Sequence, residues 1–261
     1  MRWLFPFVYL TVTHSTVGLM VLVGLLGNPA LAADIALARG ATVATFHALS
    51  ANTRMLILGQ SSAVRLADVV RMRALLVVPL ASAAFFLATA GTGVPVWLAL
   101  AVVVRRCADW FNDVQLCKAE VGHRTNFAVG FLVLQVVLLA AAAASLVTGW
   151  QFAPLAIAAW SLAPLAVAVS LRRDLRGAGA VGFPHLLQRL APHAGSTAVS
   201  GLALYAFRIL VVLLISKELA GELFTAIAIG SFIGTAFTNV LGPSLELHER
   251  RTGDGLPRPV K

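Results

Sequence analysis

Apolar positions in this chain run in long, nearly unbroken stretches, not in the alternation of a half-buried strand or the one-sided stripe of a surface helix. A helix needs about 20 mostly apolar residues to cross a bilayer. Stretches of that kind recur from position 5 to position 247, separated by short polar breaks. They predict helices over 5–26, 34–58, 73–90, 94–110, 126–148, 152–171, 196–215 and 222–241. The expected fold class is therefore all-α: a polytopic transmembrane helical bundle of about eight spans.

Composition agrees with that pattern. The 261 residues are 59% hydrophobic and 12% charged, with a mean hydropathy of +0.87, whereas a soluble domain carries roughly 25% charged residues. A net charge of +9 would point to nucleic acid in a soluble protein, but here the cations follow membrane topology and no nucleic-acid partner is expected. Cytoplasmic loops collect Lys and Arg. Arg65, Arg71 and Arg73 fall between helices two and three, and Arg105, Arg106, Lys118 and Arg124 between four and five. Arg172, Arg173, Arg176 and Arg189 fall between six and seven, and Arg250, Arg251, Arg258 and Lys261 follow helix eight. The opposite connections, 27–33, 91–93, 149–151 and 216–221, hold one cation, Lys217. This asymmetry predicts an inner (plasma) membrane protein, multi-pass, with both termini cytoplasmic and bilayer lipids as its surroundings. Arg2, an apolar run and Ala30-Leu31-Ala32 imitate a cleaved signal peptide. The run is long for a signal and is interrupted by Thr11, Thr13, His14, Ser15 and Thr16, so a retained helix is favoured.

The connections are too short to hold a soluble domain. The chain divides into a six-helix lobe over 1–175, a cytoplasmic connection over 176–195 rich in Gly and Pro, a partial second lobe over 196–245 and a polar tail over 246–261. A weak internal repeat supports the division: Ser15-Thr16 matches Ser196-Thr197, and Ala36-Leu37-Ala38-Arg39-Gly40 resembles Ala226-Ile227-Ala228-Ile229-Gly230. Arg105 and Asp109 stand at i,i+4 spacing, so 105–120 is expected to continue helix four as an amphipathic segment on the inner surface, with Trp110 and Phe111 at the headgroups. Gly230 and Gly234 form a GxxxG, expected to mark close helix packing. Cys107 and Cys117 have no metal-ligand spacing around them, and neither metal nor cofactor is expected.

Charge inside the spans is the candidate chemistry, because a charged side chain at mid-bilayer costs about 2.5 to 3.5 kcal/mol on insertion scales. At about 100° per residue, with Arg39 as origin, Ser50 falls at about 20°, Arg54 at about 60° and His47 at about 80° on helix two. Snorkelling of Arg39 and Arg54 to opposite surfaces is the plain alternative; their common face favours a donor ladder lining a cavity. Arg208, twelve residues into helix seven, is too deep to snorkel. It has either an acidic partner or an anionic ligand. His14 and Tyr205 are further candidates to line the same space. Asp34, at the outer start of helix two, suits the N-terminal end of the helix dipole.

The chain resembles the polysaccharide flippases of the multidrug/oligosaccharidyl-lipid/polysaccharide superfamily. The stretches that carry the resemblance are Ser50-Ala51-Asn52-Thr53-Arg54, Arg105-Arg106-Cys107-Ala108-Asp109-Trp110, and Phe224 to Phe232 together with Leu241-Gly242-Pro243-Ser244. The resemblance implies a transporter, not an enzyme. It would carry a lipid-linked (undecaprenyl-pyrophosphate) oligosaccharide across the inner membrane by alternating access, for polysaccharide export. Cavity cations would hold the anionic glycan lipid; the substrate-binding candidates are Arg39, His47, Arg54, Arg208 and His14. Members of that superfamily usually have 12 to 14 spans, so the second lobe is expected to be incomplete and to need self-association or a partner supplying helices. A multidrug or cation antiporter of the same superfamily is the alternative, although its expected acidic coupling residue is replaced here by His14 and hydroxyls. A non-transporting membrane protein is a further alternative.

Overall fold

A computed structural model of the protein describes residues 4–50, 66–171 and 183–252; for Ala168, Ser170, 183–193 and 235–252 it describes the backbone alone. Every regular element among the described residues is helical. The helices are α1 (Leu4–Thr13), α2 (Ser15–Leu25), α3 (Pro29–Ser50), α4 (Leu66–Thr89), α5 (Val96–Val121), α6 (Thr125–Thr148), α7 (Ala153–Ala168), α8 (Phe183–Leu214) and α9 (Lys217–Thr252), with a 3-10 turn at Val169–Leu171.

Local chemistry explains the punctuation. Asn28 caps α3, its Oδ1 accepting the Leu31 N–H at 3.2 Å. Gly149 ends α6 in the left-handed conformation, φ 62°, which suits a residue without Cβ. The expected single helix over 5–26 is instead two helices bent by 64° at His14. The polar cluster Thr11 to Thr16 accounts for the bend, because hydroxyls there compete for backbone carbonyls: Thr11 Oγ1 donates to Phe7 O at 2.9 Å.

The centre of the bundle is α3, packed against α2, α4, α5, α8 and α9. Alanines and small residues dominate its buried positions, and close crossings depend on glycines. A Cβ on Gly40 would come within 3.1 Å of Tyr205 and 3.3 Å of Arg208; one on Gly201 would meet the α3 backbone at Val43 and Ala44. Gly221 sits against the Pro29 backbone. By contrast, Gly230 and Gly234 have nothing within 4 Å of their Cβ positions, so the expected GxxxG packing is not made among the described residues.

Three helices are long and apolar enough to cross a membrane: α4, α6 and the 194–214 part of α8; the bent α1–α2 pair taken together makes a fourth. That is fewer than the eight expected. α7 is too short, and the central helix α3 carries Asp34, Arg39 and many small residues because protein surrounds it. Charged groups along α5 and α9 dilute their hydropathy in the same way. The qualifying helices are peripheral and show large apolar side chains outward, among them Leu75, Val78, Phe86, Val133, Val137, Leu210 and Leu213. Inside lie Asp34, Arg73, Arg105, Asp109, Asn112, Gln135 and Arg208. An apolar exterior of this extent around a polar interior suits helices solvated by hydrocarbon.

The amphipathic continuation of helix four is present but is not a surface segment. The helix α5 runs unbroken to Val121 and packs closely on α7. Trp110 is fully buried, its ring edge-on to Phe46 at 5.0 Å, so it does not sit at the headgroups. The expected break before helix seven is likewise absent from 183 onward, where α8 is continuous.

Candidate functional site

Three of the five candidate residues meet. A cavity of about 160 Å³ is lined by His14 and Val17 at the α1–α2 break, Arg39 on α3, Leu204, Phe207 and Arg208 on α8, and by α9 from Phe224 to Phe232. Each is delivered by a different structural accident. His14 occupies the bend, Arg39 stands on the α3 face toward α8 and α9, and Arg208 reaches α3 because Gly40 leaves room for its side chain.

Arg208 is 8% exposed and donates through Nη1 to Ala36 O at 2.7 Å, with its guanidinium carbon 6.0 Å from the centre of the Phe224 ring. A guanidinium has five N–H donors, so most of its capacity remains unspent. Arg39 is half-buried; its carbonyl accepts from Thr42 Oγ1 at 2.8 Å, and its guanidinium makes no hydrogen bond with a described residue. Neither arginine forms an ion pair with a described carboxylate, which removes the acidic-partner alternative for Arg208 among those residues. His14 faces Leu10 O through Nδ1 at 3.1 Å, so that nitrogen carries the proton and Nε2 is left as the second polar atom. Its ring stands edge-on to Phe232 at 6.0 Å.

The other candidates lie elsewhere. His47 is half-buried on α3, eight residues beyond Arg39 and outside the cavity lining. Arg54 lies outside the described residues. Tyr205 turns away and donates to Leu87 O at 2.6 Å, tying α8 to α4. Asp34 is not in the first turn of α3 but in the second, where its Oδ1 accepts from Lys217 Nζ at 2.7 Å; Lys217 also donates to Gly93 O at 3.1 Å. Lys217 thus ties the N-terminal ends of α3 and α9 to the α4–α5 turn.

Comparison of the chain with family models, curated proteins and solved structures finds no match. The reading of the site rests on its own geometry.

Two buried arginines were missed because each stands at the edge of an apolar stretch and resembles a loop cation. Arg105 is fully buried and fully engaged: Nε pairs with Asp109 at 3.0 Å, Nη1 donates to Trp160 O at 2.8 Å and Nη2 to Gln135 Oε1 at 2.5 Å. Trp160 Nε1 in turn donates to Ser15 Oγ at 3.0 Å, beside the bend. Arg73 lies over the Trp110 ring at 5.2 Å, with Asp113 at 3.9 Å. Only the i,i+4 spacing of Arg105 and Asp109 signalled this interior locally.

The cavity walls between α8 and α9 are apolar and partly exposed: Leu204, Phe207, Ile227 and Phe232. Those two helices touch each other little. The arrangement is a cationic recess beside an apolar cleft.

Proposed function

We propose that the protein moves an anionic, lipid-linked oligosaccharide between the leaflets of the inner membrane, with the phosphate groups held by Arg39 and Arg208. The observation that carries this reading is a pair of arginines without described carboxylate partners in a cavity whose α8 and α9 walls are apolar. A cation pair of that kind has a high electrostatic cost unless an anion joins it. Guanidinium forks match phosphate oxygens, and the neighbouring apolar cleft suits a polyprenyl chain. The remaining helices, α3, α5, α7 and α9, complete about eight crossings with both termini cytoplasmic, their polar positions screened from lipid by neighbours. The first six crossings form one lobe. The seventh and eighth, α8 and α9, belong to a second, and alternating access occurs between the two.

The test is translocation of a fluorescent polyprenyl pyrophosphate in proteoliposomes, read by chemical quenching of the outer leaflet. Each charge-assisted hydrogen bond contributes about 1.5 to 3 kcal/mol, so Arg39→Ala and Arg208→Ala are each expected to slow translocation by about tenfold to a hundredfold. Unchanged rates in both variants at equal reconstitution would defeat the proposal.

A further inference from the structure

Packing around the cavity is unequal along α9. Both α3 and α9 start at the same end of the bundle, where Gly221 lies against the Pro29 backbone. From there toward the cavity the contact is close and dry: Ile35, Ala36 and Ala38 on α3 are fully buried, as is Ala220 on α9, and Phe224 nearly so. Beyond Ala228 the packing stops, and positions 229–234 of α9 are all exposed. Over its described side chains, α9 is therefore held by about its first three turns. The ion pair of Lys217 with Asp34 stands at the start of that held part. At about 1.5 Å per residue, Asp34 lies about 8 Å from Arg39 along α3, and Lys217 about 10 Å from Phe224 along α9. The pair thus sits just past the apolar plug that closes one end of the cavity.

This pair differs in kind from the one between Arg105 and Asp109. The side chains of Arg105 and Asp109 are 0% and 4% exposed, whereas those of Lys217 and Asp34 are 33% and 12% exposed. Water already reaches the ammonium, so parting it from Asp34 strands no dry cation, and pairs of this type are weak. Lysine is a point charge on a flexible stem, without the fork that locks an arginine in place. Gly93, at φ 67° in the α4–α5 turn, leaves the ammonium its seat, since a Cβ there would come within 3.4 Å of Nζ. A weak tie suits a closure that a ligand has to release, because a ligand shifts a conformational equilibrium only by its differential affinity for the two states.

We propose that the Lys217–Asp34 pair, seated on the Gly93 carbonyl, is a releasable latch that holds the cavity shut at the N-terminal end of α3 and α9. Its release lets the first turns of α9 part from α3 and admits water from that side to Arg39 and Arg208. The latch rests on the reading under Proposed function in that the cavity opens to alternate sides; it does not depend on which anion fills the space.

The reporter is a thiol on the cavity wall: the full chain carries Ala228→Cys with Cys107→Ala and Cys117→Ala, in lipid nanodiscs whose lipid covers the exposed flank of α8 and α9. The reagent is the anionic, water-soluble sulfonatoethyl methanethiosulfonate. Lys217→Gln is expected to raise the labelling rate about threefold, and Asp34→Asn to raise it equally, with nothing added when the two are combined. Lys217→Arg keeps the pair and is expected to label like the reporter chain. Charge alone would move the two single variants in opposite directions, since losing a cation repels the reagent and losing an anion attracts it; that pattern overturns the latch. Asp34→Asn against Lys217→Arg carries the comparison should Lys217→Gln not fold. Unchanged labelling in both single variants overturns the latch whatever the translocation assay gives. Raised labelling in both, with no polyprenyl pyrophosphate moved by the natural chain, supports the latch and removes the function reading.

Discussion

Replacing Arg105 by Ala is expected to cost the protein about 3 to 5 kcal/mol, the range for removing one partner of a buried ion pair. Against a total stability of about 5 to 15 kcal/mol, that is enough to deplete the folded form. The substitution strips three acceptors at once: Asp109, the Trp160 carbonyl and Gln135 lose their shared donor in a region closed to water. A buried carboxylate without its cation is the most expensive of the three. Thermal unfolding and monodispersity in detergent read the effect. A double change, Arg105→Met with Asp109→Leu, removes both charges and is expected to recover most of the loss, since apolar replacement of a whole buried pair is often neutral or better. A melting temperature unchanged in Arg105→Ala would mean that the network does not hold α5, α6 and α7 together.

The second large effect is expected at Gly221. An added Cβ there overlaps the Pro29 backbone, and a backbone cannot swing aside as a side chain can. Overpacking of this kind costs about 1 to 3 kcal/mol, occasionally more, so Gly221→Ala should lower stability and separate the N-terminal ends of α3 and α9. Gly230→Ala is the internal control. Its Cβ enters open space, and Ala in a helix is favoured over Gly by about 1 kcal/mol, so that change should be neutral or stabilising. Equal melting temperatures for the two variants would refute the close α3–α9 crossing.

These two glycines show what was legible in the sequence. Gly230 and Gly234 carry the recognisable spacing and make no close contact among the described residues; Gly221, with no motif around it, makes the tight one. Local pattern reports what a helix offers, not which helix arrives. The same holds for element boundaries. The fifth predicted helix, 126–148, coincides with α6 to within one residue, because its apolar run and its ends are both local. The fourth predicted span ends at 110, and its expected helical continuation is present to Val121 but buried instead of on the surface. The polar residues beyond 104 satisfy one another across the bundle, with partners thirty and fifty-five positions away.

For the site, helical phase and depth singled out Arg39 and Arg208, and the structure places both on one cavity with His14. Their convergence spans nearly the whole described chain and has no local signature. His47, about 80° from Arg39 around the helix, lies outside the cavity lining. In the sequence, the hydroxyl cluster near His14 argues only against a signal peptide; the 64° bend there comes from the structure.

That bend has a mechanical meaning. Because the helix bends by 64° at His14 while Ser15 is pinned by the Trp160 indole, α1 is a rigid arm about 15 Å long, ten residues at about 1.5 Å each, that meets α2 at the cavity wall. A rotation of about 10° at that junction carries its far end nearly 3 Å while α2 stays seated on α3. The side chain at the pivot is His14, one of the groups that face the cavity, so whatever fills that space presses on the fulcrum of the arm.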